Sequence, residues 1–172
     1  NPCVVNDGMP YYFFNAHAEG DYTQRKDEHL SPGYKLQRWG GSVGMDVDFN
    51  TSWSGSLALT ALYGDLSVQQ PDRLETDMGS YYLSLAARYA EQDWVHLFIA
   101  TLGLSDIDTE RTVELGSARY RTSGSTHGIG FGLMYELAYN WQPDKESSLL
   151  LQPLLNISYR YSSVDGFTES GS

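Results

Sequence analysis

Nowhere does the chain hold the roughly 20 consecutive apolar residues that a membrane-crossing helix requires. The longest uncharged apolar stretch, residues 95–104, is far too short and contains His96, so no helix is expected to cross a bilayer. Lysine and arginine are scarce: 11 of them stand against 22 acidic residues, for a formal charge of −11. They are scattered, whereas binding a phosphate backbone needs clustered cations, and nucleic acid is excluded as a partner. Cys3 is the single cysteine, which excludes an internal disulfide or a cysteine-rich metal site. No positively charged stretch followed by an apolar core opens the chain, so an export signal is expected upstream or already removed.

Motifs for chemistry are equally thin. Gly128, Gly130 and Gly132 lack the spacing and the strand-turn-helix setting of a dinucleotide loop; glycines at every second position fit one face of a strand. Asp46 with Asp48, and Asp106 with Asp108, offer oxygen ligands to a hard cation but lack further carboxylates at a recognised spacing. The first pair is expected to line a wet interior and the second to solvate a loop. His17, His29, His96 and His127 lie on different segments without ligand spacing. No nucleophile elbow and no serine, histidine and acid arrangement can be placed. No catalytic, cofactor-binding or metal-binding residue is assigned, and the chain is expected not to be an enzyme.

What the chain does have is period-two alternation, which puts successive side chains on opposite faces of a strand. Over 81–89, Tyr81, Leu83, Leu85, Ala87 and Tyr89 share one face, while Tyr82, Ser84, Ala86 and Arg88 share the other. From Ile129, an apolar set of Ile129, Phe131, Leu133, Tyr135, Leu137, Tyr139 and Trp141 opposes Gly128, Gly130, Gly132, Met134, Glu136, Ala138 and Asn140. From Leu149, Leu151, Pro153, Leu155, Ile157, Tyr159 and Tyr161 oppose Gln152, Asn156, Ser158 and Arg160. Leu57, Leu59, Ala61 and Tyr63 follow Trp53; Trp39, Gly41, Val43, Met45, Val47 and Phe49 oppose a face holding Asp46 and Asp48. Residues 11–22 read as a less regular strand, and 94–104 are apolar on both faces, so their phase is undecided. About seven strands result, in one domain. Interleaving apolar with polar residues accounts for a mean hydropathy of −0.40.

Short connections are expected at 50–54, 91–93 and 142–147, and long charged ones at 21–34, 68–78 and 105–126. In an antiparallel meander alternate connections share an end, so short turns collect at one end and long loops at the other. Within the longest loop, 109–115 and 118–122 are expected to extend the flanking strands as a hairpin around Gly116 and Ser117. Trp53, Tyr63, Tyr81, Tyr89, Tyr139, Trp141, Tyr159 and Tyr161 sit at the ends of apolar stripes, as interfacial aromatic girdles require. Asp46, Asp48, Arg88, Glu136, Gln152, Asn156 and Arg160 fall on the opposite faces and are expected to point into a lumen. The pattern favours an all-β, antiparallel up-and-down transmembrane barrel. An outer-membrane channel or adhesin barrel, and a soluble β-sandwich or calyx binding an apolar ligand, remain open on the residues alone.

Several segments resemble the C-terminal translocator domain of the autotransporter (type V secretion) family of Gram-negative bacteria. They are Gly40-Gly41-Ser42-Val43-Gly44-Met45-Asp46 leading into a short turn, the following strand at 55–64, Gly79-Ser80-Tyr81-Tyr82, and Leu151-Gln152-Pro153 followed by Tyr159-Arg160-Tyr161. The resemblance covers about 13–167. It implies a twelve-stranded barrel, of which the seven strands form part, with 1–10 as a linker or pre-barrel segment and 11–172 as barrel lacking its C-terminal strands. It further implies an outer-membrane location with the long loops extracellular, and an N-terminal passenger exported to the cell surface. The implied partners are the lipid bilayer, lipopolysaccharide, that passenger and the barrel-assembly machinery. Some members cleave their passenger at a linker asparagine; Asn1 and Asn6 match no such site.

Overall fold

The computed structural model describes residues 10–26, 32–68, 73–115, 118–143, 150–167 and 170–171. Seven long strands and one short one form a single antiparallel sheet: β1 (Tyr11–Arg25), β2 (Tyr34–Asp48), β3 (Trp53–Val68), β4 (Arg73–Glu91), β5 (Trp94–Leu115), β6 (Ala118–Tyr139), β7 (Leu154–Val164) and β8 (Ser170–Gly171). Strands β1 to β7 pair in chain order, and β8 pairs with β6 beyond the end of β7. The sheet is open, with β1 and β7 as its edges.

The register carries the alternation across the sheet. Directly opposed residues of antiparallel strands share a face. The row Met45, Leu57, Leu85, Ala100, Leu133 and Tyr159 therefore stands on one side, and the adjacent row Gly44, Ala58, Ser84, Thr101, Gly132 and Arg160 on the other. This fixes the phase of 94–104: Trp94, His96, Phe98, Ala100, Leu102 and Leu104 lie on the apolar face, and Val95, Leu97, Ile99, Thr101 and Gly103 on the opposite one. Sequence alone could not decide it because Leu97 and Ile99 put apolar groups on both sides.

Among the described residues neither face is packed against a second layer. Among the described residues the buried hydrophobics are Val47 and Ala138, while Trp39, Leu59, Leu85, Leu102, Leu133 and Ile157 are each more than half exposed. Cohesion within the sheet comes from cross-strand backbone bonds and from side chains leaning along each face.

Several boundaries differ from the sequence reading. Strand β1 runs on to Arg25 and β4 begins at Arg73, so much of the expected loops at 21–34 and 68–78 is strand. The apolar stripes end before these strands do. Polar but β-competent residues such as Tyr22, Thr23 and Thr76 prolong the ladder, and Arg38 grips Asp21 across strands at 3.0 Å. Asp106 and Asp108 likewise stand in β5 and not in a loop. The hairpin expected above 105–126 is present as continuous strand to Leu115 and from Ala118; Gly116 and Ser117 lie outside the described residues. Pro153, expected within a strand, stands just before β7, where its carbonyl accepts the Tyr139 amide at 3.1 Å and no donor is demanded of it. Trp141 and Leu151 form an isolated bridge beyond β6, and the connection expected at 142–147 is described only to residue 143. Leu149, His29 and residues 1–9 also fall outside the described residues.

Several glycines are demanded by close approach, Gly40 and Gly103 among them. A Cβ on Gly40 would lie 2.3 Å from the Ala61 carbonyl oxygen, and one on Gly103 would meet the Tyr82 ring at 2.9 Å. Tyr82 thus lies across the glycine opposite it in the ladder. Gly79 has nothing nearer than 3.9 Å. Gly40→Ala is expected to lower stability by about 1–3 kcal/mol through forced backbone movement, with Gly79→Ala close to neutral. Urea titration of the folded protein in detergent checks this, and equal midpoints for the two variants would contradict it.

Candidate functional site

The apolar face has constant height. On β2 the stripe runs over 39–47, on β3 over 53–63, on β4 over 81–89, on β5 over 94–104 and on β6 over 129–139. Each is about 9–11 residues, the length a tilted strand needs to cross a hydrocarbon layer. Strands β5 and β6 are 22 residues each, so about half of each projects beyond that band.

Aromatic rings close the stripes at both ends. On the long-connection side Trp39 stacks on Tyr63 at 4.6 Å, and Tyr63 meets Tyr81 edge-on at 6.0 Å with their hydroxyls 2.9 Å apart. Farther along, Phe131 contacts Tyr161, its partner in the ladder, and also Tyr159, which stands farther in, level with Leu133. On the short-turn side Trp53 packs on Tyr89 at 4.7 Å and Trp94 on Tyr139 at 4.6 Å. Both lines drift the same way along the strands. Tyr81 lies two residues past Gly79, the partner of Tyr63, and Trp94 faces Glu91, two residues past Tyr89. Trp39 and Trp94 were not among the sequence-assigned girdle residues. The partner of Trp39, Tyr63, stands on another strand, and the alternation around Trp94 is masked by apolar residues on both faces of β5.

The opposite face is polar in a graded way. Asp46 accepts Asn15 Nδ2 at 2.9 Å and Ser56 Oγ at 2.6 Å, which satisfies a carboxylate set in the wall. Paired hydroxyls join β4 to β5 at Thr76–Thr109, Ser80–Ser105 and Ser84–Thr101. Asp48, Ser54, Arg88, Leu97, Glu136 and Asn156 make one register row near the short turns. Asn156 Nδ2 donates to Glu136 Oε2 at 3.4 Å, and Gln152 Nε2 donates to Asn140 Oδ1 at 2.9 Å. The row does not bring Arg88 to Asp48 or Glu136, since Ser54 and Leu97 stand between them. Arg88 and Arg160 have no ion pair among the described residues.

Beyond the long-connection aromatics the apolar-side face turns acidic. Asp65, Asp77 and Asp108 oppose one another directly on β3, β4 and β5, and His127 Nδ1 lies 2.6 Å from Asp106. Farther out, glutamates pair with arginines: Arg73 with Glu75, Arg119 with Glu114, and Arg121 with Glu110. Loss of hydration between flanking strands raises the Asp77 carboxyl above the ordinary aspartate range, aided by the charge of Asp65, a hydrogen bond with it, and Asp108 and Glu75. The Arg121 hydrogen bond instead holds Glu110 below its usual range.

The chain matches the family model described as Autotransporter beta-domain over residues 14–172. Among solved structures it is similar to the crystal structure of the ferric yersiniabactin uptake receptor FyuA from Yersinia pestis, at a TM-score of 0.55 and 11% identity. That likeness covers 96% of this chain and 31% of the receptor, so the chain spans about a third of that structure and shares its fold alone. No curated protein matches the chain.

The row of opposed carboxylates sets a pH dependence. A folded-state value raised above the unfolded one means that stability is greatest in acid and falls as pH rises through Asp77's folded value; for Glu110 the sign is opposite, its contribution being lost as pH falls. At neutral pH, Asp77→Asn is therefore expected to slow amide exchange over 73–78, and the difference from the native protein should vanish below the ordinary aspartate range. Unchanged exchange at neutral pH, or a difference that persists in acid, would contradict the assignment.

Proposed function

This chain belongs to the autotransporter family through its β-domain, and from that premise we propose that it forms wall of an outer-membrane translocator that anchors an N-terminal passenger and exports it to the cell surface. The observation that carries the reading is a sheet with no buried core on either side, whose exposed apolar face keeps a bilayer-length stripe between two lines of aromatic rings. A soluble sandwich packs one face on another layer, and nothing among the described residues does so. In a bilayer the same face is solvated by lipid, and the ladder bonds satisfy the backbone without water.

On this reading Asp46, Asp48, Arg88, Glu136, Gln152, Asn156 and Arg160 line a wet lumen through which the passenger's linker runs. Trp53, Tyr63, Tyr81, Tyr89, Tyr139, Trp141 and Tyr161, together with Trp39 and Trp94, form the two girdles, while Tyr159 stands level with Leu133 in the middle of the stripe. The short turns face the periplasm and the long strand extensions face outward, where Arg73, Arg119 and Arg121 meet the phosphates and sugars of lipopolysaccharide. Further strands pair with the open edges of β1 and β7, with the barrel-assembly machinery closing the sheet, and 1–10 serve as the linker. A channel or adhesin barrel would have the same two faces; family membership is what favours passenger export.

Charge on the lipid face near the midplane costs about 2–4 kcal/mol. In cells making the whole precursor, Leu133→Arg or Leu85→Arg is expected to remove most of the passenger accessible to externally added protease, along with the heat-modifiable barrel band in SDS. Ser84→Asn and Gly130→Ser should leave both nearly unchanged. Equal tolerance on the two faces would reverse the assignment of lipid and lumen. A barrel that assembles normally yet never exposes its passenger would overturn the translocator reading.

A further inference from the structure

One ionisable side chain sits where a lipid-facing stripe has no evident use for it. His96 lies on the apolar face of β5, two residues from Trp94, in the row of Trp53 and Tyr89. His17 faces the other side and His127 is bound to Asp106. The His96 ring is half-buried between Tyr89, 5.9 Å away, and Tyr135, 6.2 Å away. Its Nδ1 lies 2.9 Å from the Tyr135 hydroxyl, and its Nε2 has no hydrogen-bond partner among the described residues. When the Tyr135 hydroxyl donates to Nδ1, the ring carries its proton on Nε2 and presents a fixed donor.

An acceptor of opposite character stands beside it. Glu91 pairs with Trp94 and so lies diagonal to His96 across the β4–β5 ladder, a separation of about 7–8 Å between backbones. The Tyr89 hydroxyl donates to Glu91 Oε2 at 2.8 Å, fixing the carboxylate on the same face, and Trp53 and Trp94 expose their rings on either side. We propose that Glu91, His96 and Tyr135 form a binding site for a zwitterionic phosphoethanolamine lipid headgroup, with the His96 Nε2–H donating to the phosphate and the Glu91 carboxylate accepting from the ammonium. The order of charges selects this chemistry: an anionic headgroup without an amine leaves Glu91 facing a phosphate, and a trimethylated amine has no N–H to give it. Trp94 covers the ammonium with its ring face. The site deepens the membrane reading and rests on its assignment of the apolar face to lipid.

The whole protein, reconstituted in nanodiscs holding equal parts phosphatidylethanolamine, phosphatidylcholine and phosphatidylglycerol with identical acyl chains, provides the test. Native mass spectrometry then counts the phospholipids retained on release. Phosphatidylethanolamine is expected to be enriched over its share. His96→Phe should weaken its retention about ten-fold, as expected for one charge-assisted hydrogen bond. Glu91→Gln should erase the preference over phosphatidylcholine, and Tyr135→Phe, which keeps the ring but frees Nδ1, should reproduce part of the His96 loss. Retained lipids that mirror the disc composition, or an enrichment unmoved by all three variants, would overturn the site while leaving the barrel intact. A native protein that never enters the discs and shows no heat-modifiable band would overturn the membrane reading itself.

Discussion

Every strand of this sheet depends on its neighbour's register. A shift of one residue would exchange the faces of a whole strand, turning Leu133 and Tyr135 toward the side of Gly132 and Met134. Among the described residues no packed core is available to correct such a slip. The register is instead held by long ladders, by close approach at Gly40 and Gly103, and by side chains that find partners only in the observed pairing. The contact of Asp46 with both Asn15 and Ser56 ties β2 to β1 and β3 at once. The Tyr63–Tyr81 and His96–Tyr135 contacts do the same for β3 with β4 and β5 with β6.

From that register follow two chemically different surfaces. The apolar face is uniform along its height and ends in aromatic rings, which combine apolar area with a polar edge. The other face mixes hydroxyls, glycines and a few charges without being uniformly polar: Leu97, Ile99 and Met134 stand among Asp46, Arg88 and Glu136. Above the long-connection aromatics the former apolar side becomes charged, first with opposed carboxylates and then with arginine and glutamate pairs. The sheet is thus polarised along its strands as well as across them, so its two ends are chemically distinct.

The alternation and the number of long strands were legible in the sequence, because apolar and polar residues on β3, β4 and β6 obey a strict period of two. Strand ends were not. Thr23, Gln24 and Thr76 are polar enough to read as loop, yet they lengthen the ladder because the neighbouring strand supplies their backbone partners. The phase of β5 was hidden for the converse reason, that Leu97 and Ile99 are as apolar as Phe98 and Leu102; only pairing with β4 and β6 assigns them. The Asn15, Asp46 and Ser56 cluster, the Tyr82 ring over Gly103 and the diagonal of His96 and Glu91 join residues on different strands, and periodicity along one strand carries no sign of them.

All of this turns on whether the two faces of β6 meet different solvents. Single spin labels at successive positions from 129 to 139, in full-length protein carrying Cys3→Ser and reconstituted in lipid, measure this through relaxation by oxygen and by a water-soluble nickel complex. Oxygen accessibility should peak at 129, 131, 133, 135 and 137, and nickel accessibility at 130, 132, 134 and 136, in opposite phase with a period of two. Profiles that rise and fall together, or that show no period, would contradict a wall with lipid on one side and water on the other.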